Sequence, residues 1–469
     1  MRIHFIGIGG IGISALARYY LSRGERVTGS DLSASEITEA LSASGVKIII
    51  GGHNEKNLPG DAEMIIYSPA VAPDNPELKA GQAKNLKILS YPQALGELTK
   101  KYFTIAVCGA HGKSTTTAMI GLTLIKAGLD PTIIVGTKLK EFGDSNFRLG
   151  RTPKENEIKT ANDKLQAPNY LVIEADEHLA SFLNYWPQII VLTRLEADHL
   201  DYYKNLNNIF KAFREFIGHL PEEGILVANK DDKNIREVLN AKRKTQNAKL
   251  AAQNSKLNVK YYSLHQKETT KIRKILKVPG EHNVSNALAV LAVGRLLKIP
   301  DSMIFKSLSE YRGAWRRFEI FPAHCGKKRF TLVSDYGHHP TEIEVTLKAA
   351  RQKFPQKKIW CVSQPHQYQR TYYLFKDFVR VLSQAPIDKL ILAEIYSVAG
   401  RESESIKQKV SSEKLARETR KKPAAKNKEI IYFPTAKEIT EYLRENIKSK
   451  EVIIIMGAGD IYKIKENFA

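Results

Sequence analysis

Short apolar runs alternate along the chain with stretches of helical spacing. HFIGI (4–8), RVTGSD (26–31), VKIII (46–50) and EMIIY (63–67) have strand length and read as buried strands. Helical segments separate them, such as ISALARYYLSRG, which Gly24 is placed to end as a C-terminal cap. Strands alternating with helices predict parallel βαβ units and an α/β fold. The pattern restarts at FTIAVC (103–108), with further strands at YLVIE (170–174), QIIVLT (188–193) and GILVAN (224–229). It restarts again at FTLVSD (330–335), followed by KIWCVSQ (358–364), KLILAEIY (389–396) and EVIIIMG (451–457). Each restart has its own glycine-rich turn or motif cluster. The expectation is three α/β domains, residues 1–100, 101–311 and 312–469, which agrees with a chain of 469 residues.

No run approaches about 18 uninterrupted apolar residues, so no membrane-spanning helix is expected. The apolar N-terminus imitates a signal peptide, but Gly7, Gly9, Gly10 and Gly12 suit a strand and tight turn better, and no A-x-A-like cleavage site follows cleanly. Cys108, Cys325 and Cys361 form no CxxC pair and cannot make a disulfide framework. A soluble cytoplasmic protein is the expectation. Charge adds a question: the net +22 points to a polyanionic partner, whether nucleic acid, membrane or phosphorylated small molecules. Residues 240–277 alone hold eleven Lys/Arg and one acid, Glu268, and residues 401–430 hold ten Lys/Arg against five Glu. A nucleic-acid patch calls for interleaved aromatics and a recognisable module. Only Tyr261 and Tyr262 are there, so these segments read as solvated surface. Residues 151–169 read as a loop or insertion.

Two glycine motifs change the picture. Gly7-x-Gly9-x-x-Gly12 follows the first strand and opens a helix, where backbone N–H groups can approach a diphosphate. Asp31 ends the second strand, where an acid can hold a ribose hydroxyl. The motif alone does not separate NAD, FAD and a UDP-sugar. Gly109-Ala110-His111-Gly112-Lys113-Ser114-Thr115 lies between FTIAVC and the apolar stretch TTTAMIGLTLIKAG. It reads as a phosphate cradle, with Lys113 facing β/γ charge and Ser114 facing Mg²⁺. Val107 stands where the first glycine of the longer pattern would be. With both motifs in separate domains, one nucleotide would be ATP and the other part of a substrate, which favours ATP-driven synthesis over a simple dehydrogenase. EADE (174–177) and EADHLD (196–201) put acids at strand ends facing the ligand crevice. Glu174 and His199 could complete a Mg²⁺ site with Ser114, His199 being the less comfortable ligand for so hard a cation.

GAHGKST, EADE, EADHLDYY, GEHNVSNALA (280–289), RRFE (316–319), DYGHHPTEI (335–343), QPHQYQRT (364–371) and MGAGDI (456–461) come in the order of the Mur ligases, and the resemblance spans nearly the whole chain. It implies a Rossmann-like UDP-binding domain, a central P-loop ATPase-type domain with a mainly parallel sheet, and a Rossmann-like C-terminal domain for the amino acid. The implied reaction joins L-alanine to the lactyl carboxyl of UDP-N-acetylmuramate through an acyl phosphate, giving ADP and phosphate. By resemblance Lys113, Glu174, His199 and His338 are catalytic, and Ser114, Glu174 and His199 hold Mg²⁺. Gly109 to Thr115, His282, Asn283, Asn286, Arg317 and Asp335 would meet ATP. Gly9, Gly10, Ile11, Gly12, Asp31, Ser68, His111 and Arg316 would meet the UDP-sugar, and Tyr336, His338 and Arg370 the amino acid. GEHNVSN also suits a plain helix N-terminus with Asn283 as cap. Partners are then small molecules, with no nucleic acid, no membrane insertion and a monomer or weak homodimer. Gln367 where the family has Arg, Arg194 where it has Asn, and His178 where it has Ser depart from the pattern. Gln367 keeps open a sibling activity that attaches an L-Ala-γ-D-Glu-diaminopimelate tripeptide. An NAD(P)-dependent oxidoreductase would leave GAHGKST unexplained. A basic ATP-dependent nucleic-acid factor would leave DYGHHPTEI unexplained.

Overall fold

The computed structural model describes residues 1–150, 169–240, 257–398, 402 and 404–468. The stretch 151–169, except Asn169, and parts of both basic segments lie outside the described residues. Among the described residues the strands form three sheets. The first joins β1 (Arg2–Ile6), β2 (Arg26–Asp31), β3 (Lys47–Ile50), β4 (Met64–Tyr67) and β5 (Lys87–Ser90) in the order β3-β2-β1-β4-β5, all parallel. The second holds β6 (Phe103–Cys108), β7 (Thr132–Leu139), β8 (Ser145–Arg148), β9 (Tyr170–Glu174), β10 (Ile189–Leu192), β11 (Ile225–Asn229) and β12 (Asn258–Tyr262). Its order is β12-β11-β10-β6-β9-β7-β8, with only the β7–β8 pair antiparallel. The third holds β13 (Glu319–Cys325), β14 (Lys328–Asp335), β15 (Ile359–Ser363), β16 (Lys389–Ala393), β17 (Glu429–Phe433) and β18 (Val452–Met456). Its order is β13-β14-β18-β15-β16-β17, antiparallel only at β13–β14. The mixed α/β class with mainly parallel sheets is as the sequence predicts.

Side-chain alternation in the third sheet explains its continuous apolar runs. Val333, Cys361, Leu390 and Ile454 pack on one face with Leu347, Phe378 and Leu382. Their neighbours Leu332, Trp360, Ile391 and Ile453 pack on the other with Ile439, Leu443 and Phe468. A parallel sheet covered on both faces needs apolar residues at consecutive positions.

Several boundaries move. HFIGI does not run to residue 8: β1 stops at Ile6, because the amides of Gly7 and Ile8 both turn to the Ser30 carbonyl at 2.9 and 3.1 Å. The strand in KLILAEIY stops at Ala393. The helix after FTIAVC begins at Lys113, two residues earlier than the apolar stretch suggests, and runs to Lys126. The first helix, Ile11–Ser22, ends as expected, with Gly24 at φ +80°. Asn283 does not cap its helix. That helix starts at Glu281, and Asn283 Nδ2 donates back to the Pro279 carbonyl at 2.7 Å. Among the described residues no helix is long and apolar enough to cross a membrane.

The chain divides into two compact units. One is Met1–Glu196, Leu206–Ile272 and Asn286–Ser309, carrying the first two sheets. The other is Ala197–Asn205, Arg273–Ser285 and Glu310–Ala469, carrying the third.

Candidate active site

In each sheet the site residues gather where strand order reverses, at the carboxyl ends of the central strands, the place where open α/β sheets leave a crevice. In the first sheet that strand is β1. The Asp31 carboxylate, at the end of β2, accepts the Gly9 amide through Oδ2 at 2.8 Å and the Ser33 amide through Oδ1 at 3.3 Å. Asp31 thus pins the glycine loop as well as facing its crevice. The Ile11 carbonyl accepts from Asn146 Nδ2. Ser68 follows β4, its amide bonded to the Ile6 carbonyl at 3.0 Å and its hydroxyl accepting the Ala70 amide at 3.3 Å.

In the second sheet β6 lies between β10 and β9. The Ala110 amide donates to the Arg194 carbonyl at 2.8 Å, and Thr193 Oγ1 donates to the His111 carbonyl at 2.6 Å, so the strand beside β6 shapes the loop. Gly112 sits at φ +85°, and a Cβ there would fall 2.5 Å from Asn286 Oδ1. Only glycine combines that backbone with that close approach. Lys113 Nζ donates to Glu177 at 2.9 and 3.1 Å and to the Gly109 carbonyl at 3.0 Å, with Asp176 at 3.6 Å. Burial alone would lower the lysine pKa. Glu177, Asp176 and Glu174 outweigh it and raise the pKa, so the ammonium stays charged. Glu174 ends β9 and accepts the Gly136 amide at 2.8 Å. Ser114 opens the helix and is buried, as is Thr115. The hydroxyl of Ser114 and the carboxylate of Glu174 are hard oxygen donors, one following β6 and one ending β9, the donor chemistry Mg²⁺ prefers. His111 Nε2 pairs with Glu196, whose other oxygen lies 3.6 Å from Arg194 Nε. Arg194 therefore reaches the carboxylate that holds the loop histidine. The His178 amide donates to Asp176 Oδ1 at 3.3 Å.

The second unit holds the remaining groups. Asp335, at the end of β14, is buried and accepts the amides of Gly337 at 2.8 Å and Phe318 at 2.9 Å. Burial pushes its carboxyl up to about 6, against the pull of Arg317 and those amides. Arg316 is buried. Its guanidinium stands over the rings of Tyr462 (4.1 Å), Tyr336 (4.9 Å) and Trp315 (5.4 Å) and donates to the carbonyls of Gly457 and Gly459 in the turn after β18. Arg317 lies 5.0 Å from the Tyr336 ring centre and 3.7 Å from Glu342. His338 Nδ1 donates to the Tyr336 carbonyl at 3.1 Å, which leaves Nε2 with the lone pair. Burial pushes His338 down to about 3, with Arg370 adding to the shift and Glu342 opposing it. Arg370 is buried and donates to Asp198 from Nε at 3.1 Å and from its Nη2 at 3.5 Å. Burial would lower its pKa, and the Asp198 carboxylate reverses that. His199 follows Asp198 and adopts φ +51°, ψ +40°, a left-handed conformation costing a non-glycine residue about 1–2 kcal/mol.

The structure thus groups Lys113, Ser114, Glu174, His111 and Asn286 in the first unit, and His199, His282, Asn283, Asp335, Tyr336, His338 and Arg370 in the second. Three carboxylates that hold these groups escaped the sequence reading: Glu177 on Lys113, Glu196 on His111 and Asp198 on Arg370. All three stand in EADE or EADHLD, and the need of a buried cation for a buried counter-charge could have found them.

Three family descriptions match in tandem: "Mur ligase family, catalytic domain" over residues 2–103, "Mur ligase middle domain" over 107–294, and "Mur ligase, glutamate ligase domain" over 316–459. The chain is 39% identical to the UDP-N-acetylmuramate–L-alanine ligase of Acetivibrio thermocellus, covering 100% of this chain and 95% of that one. It is 40% identical to the ligase of the same name from Aquifex aeolicus, covering 100% and 97%. A solved UDP-N-acetylmuramate–alanine ligase from Thermotoga maritima is 26% identical with a TM-score of 0.75, covering 100% of this chain and 98% of that one. A murein peptide ligase from Psychrobacter arcticus, 21% identical at a TM-score of 0.69 over 100% of this chain and 98% of that one, shares the fold. With two pinned glycine loops, a charged lysine at the second and matches from end to end, the chain belongs to the Mur ligase family.

Proposed function

We propose that this chain is an ATP-dependent ligase that joins L-alanine to the lactyl carboxyl of UDP-N-acetylmuramate, giving ADP and phosphate, a step of peptidoglycan precursor synthesis in the cytoplasm. The observation that carries the choice of amine is one cluster of two groups: the guanidinium of Arg370, set by Asp198 at 3.1 Å and 3.4 Å from His366, and the imidazole of His338, whose ring centre lies 5.6 Å from that of His366 and whose Nδ1 is turned to the Tyr336 carbonyl. A small amino acid offers a carboxylate to the first and an ammonium proton to the second. The names of the full-length relatives support the same reading.

A carboxylate is a poor acceptor for an amine. Transfer of the γ-phosphoryl of ATP to it gives an acyl phosphate, whose phosphate leaves readily. Such transfer is mostly positioning and charge stabilisation. Lys113, held charged, meets the β/γ-phosphates, and the amides of Gly109 to Gly112 cradle them. Ser114 and Glu174, with His199 as the family resemblance implies, would hold Mg²⁺, which when bound would supply positive charge toward the phosphoryl oxygens. His282, Asn283, Asn286, Asp335 and Arg317 take the adenosine end and the phosphate side. Gly9 to Gly12, Asp31, Ser68 and His111 take the UDP-sugar. Arg316, engaged with the turn after β18, supports that turn rather than reaching outward. Arg370 holds the alanine carboxylate, Tyr336 shapes the pocket, and His338 Nε2 accepts a hydrogen bond from the amine and orients it for attack. The three ligand-binding domains are 1–100, 101–311 and 312–469, in a monomer or weak homodimer.

Phosphate release from ATP tests this. It should require both UDP-N-acetylmuramate and L-alanine. Stimulation by the L-Ala-γ-D-Glu-diaminopimelate tripeptide without stimulation by L-alanine would reassign the amine. Binding of NADH in place of the UDP-sugar would sink the ligase reading.

A further inference from the structure

Asp198 is a carboxylate with two clients. Oδ1 accepts Arg370 Nε at 3.1 Å and the His199 amide at 2.7 Å. Oδ2 faces Arg370 Nη2 at 3.5 Å and His199 Nε2 at 3.7 Å. Both Asp198 and Arg370 are buried, each 8% exposed, so the pair is desolvated and its geometry is fixed. A guanidinium has five N–H donors in a planar fork with two usable edges. Asp198 takes the Nε/Nη2 edge. Among the described residues, the hydrogen-bond contacts of Nη1 are to His366, at 3.4 Å to both Nδ1 and the carbonyl. The Nη1/Nη2 edge therefore keeps donors for a second carboxylate. Gln367, Tyr373 and Leu374 line the small cavity beside the pair, and none of them brings a second guanidinium.

We propose that Asp198 is a positioning residue for the amine substrate: it turns Arg370 so that the Nη1/Nη2 edge meets the amino-acid carboxylate, and through the same oxygen it fixes the backbone of His199. The second contact holds His199 in its left-handed conformation, because the amide bonded to Oδ1 is that of His199 itself. One carboxylate thus ties the orientation of the amino-acid grip to that of a phosphate-side ligand. This inference rests on the ligase reading above. Without Asp198 the guanidinium keeps its charge but loses the contact that selects its rotamer, so binding of the amine weakens before anything else.

The test is a double-mutant cycle between Asp198→Asn and Arg370→Lys, read by steady-state phosphate release with each substrate varied in turn. Asn keeps an acceptor for the His199 amide while losing the negative charge that faces Arg370. In Asp198→Asn the KM for L-alanine should rise by about 10–100-fold, the range for groups that orient a ligand-holding residue. The KM for UDP-N-acetylmuramate should stay within about twofold. In the Arg370→Lys background the same change should have little further effect on the alanine KM, because lysine has no fork for Asp198 to orient. Effects that simply add, or a uniform loss of kcat with every KM unchanged, would overturn the proposal. A thermal midpoint within a few degrees of wild type, with Asp198→Glu partly restoring the alanine KM, separates positioning from a folding defect. If the wild-type chain shows no L-alanine-dependent phosphate release at all, the ligase reading fails first. If it does and Asp198→Asn matches it, this inference fails alone.

Discussion

Lys113 and Glu177 form a buried pair whose two members do different things. Lys113 stands at the second glycine loop, and Glu177 keeps it charged while accepting from it at both carboxylate oxygens. Removing one partner of a buried pair leaves the other uncompensated, at about 3–5 kcal/mol. Lys113→Ala should therefore abolish turnover and also lower stability, because Glu177 loses the ammonium it accepts from. The double variant Lys113→Ala/Glu177→Gln should recover much of the urea midpoint while remaining inactive. A double variant no more stable than the single one would deny that Glu177 is the cause. His338 gives a pH signature. Its folded pKa of about 3 lies below the ordinary imidazole value of about 6.5. Between those values the unfolded chain binds a proton that the folded chain does not. The stability from the neutral ring is present above pH ~6.5 and is lost as pH falls toward ~3. Asp335, raised to about 6, has the opposite sign: its contribution falls as pH rises from ~4 to ~6. His338→Gln should thus lose less stability than wild type between about pH 6.5 and about pH 4, as read from urea midpoints at several pH values. An unchanged acid slope would mean that the folded protein protonates His338 near its ordinary value.

Elements were legible where both faces of a strand are buried between neighbours. β6 and β9 match their apolar runs residue for residue. The strands that the pattern passed over are β5, β7, β8, β12, β13 and β17, and all but β7 are sheet edges. An edge strand is paired on one side only and carries polar residues that discourage further pairing, so its run is short and broken. SNFR in β8 and the proline in EIFPAHC of β13 are such cases. β7 sits one place in from its edge, and Gly136 interrupts its run. The polar core of the first sheet was equally hidden. Glu77, fully buried in the first turn of the helix Pro76–Ala83, accepts from His4 Nε2 and His53 Nδ1, each at 2.7 Å, from Ser30 Oγ at 2.8 Å and from Asn57 Nδ2 at 3.1 Å. It thereby binds β1, β2, the segment after β3 and that helix into one network. Its four partners come from three separate stretches of the sequence, so no local motif could announce them. Burial would raise the Glu77 pKa, and these four donors lower it. Glu77→Ala should strand them and cost about 3–5 kcal/mol, seen as a large fall in the urea midpoint. A cost below about 1 kcal/mol would mean that water satisfies the network.

At the scale of the whole molecule, the net charge of +22 is the feature that the motifs do not account for. Lys113 and Arg370 are both paired with carboxylates of the chain itself, so these two groups proposed to meet substrate contribute little to the excess. What remains acts as a field rather than as contacts. Such a field raises the local concentration of anions and their association rate, and salt screens it. The Debye length falls from about 30 Å at 0.01 M to about 8 Å at 0.15 M ionic strength. The proposed substrates divide cleanly under that test, because ATP and UDP-N-acetylmuramate are polyanions and L-alanine is a zwitterion without net charge. Raising ionic strength across that range should lower kcat/KM for the two nucleotides by about two- to tenfold while leaving kcat/KM for L-alanine nearly constant. Steady-state phosphate release, with one substrate varied and the others saturating, reads all three. Equal losses for all three substrates would place the salt effect on folding or on the chemical step. No loss for the nucleotides would leave the excess charge without a part in capturing them.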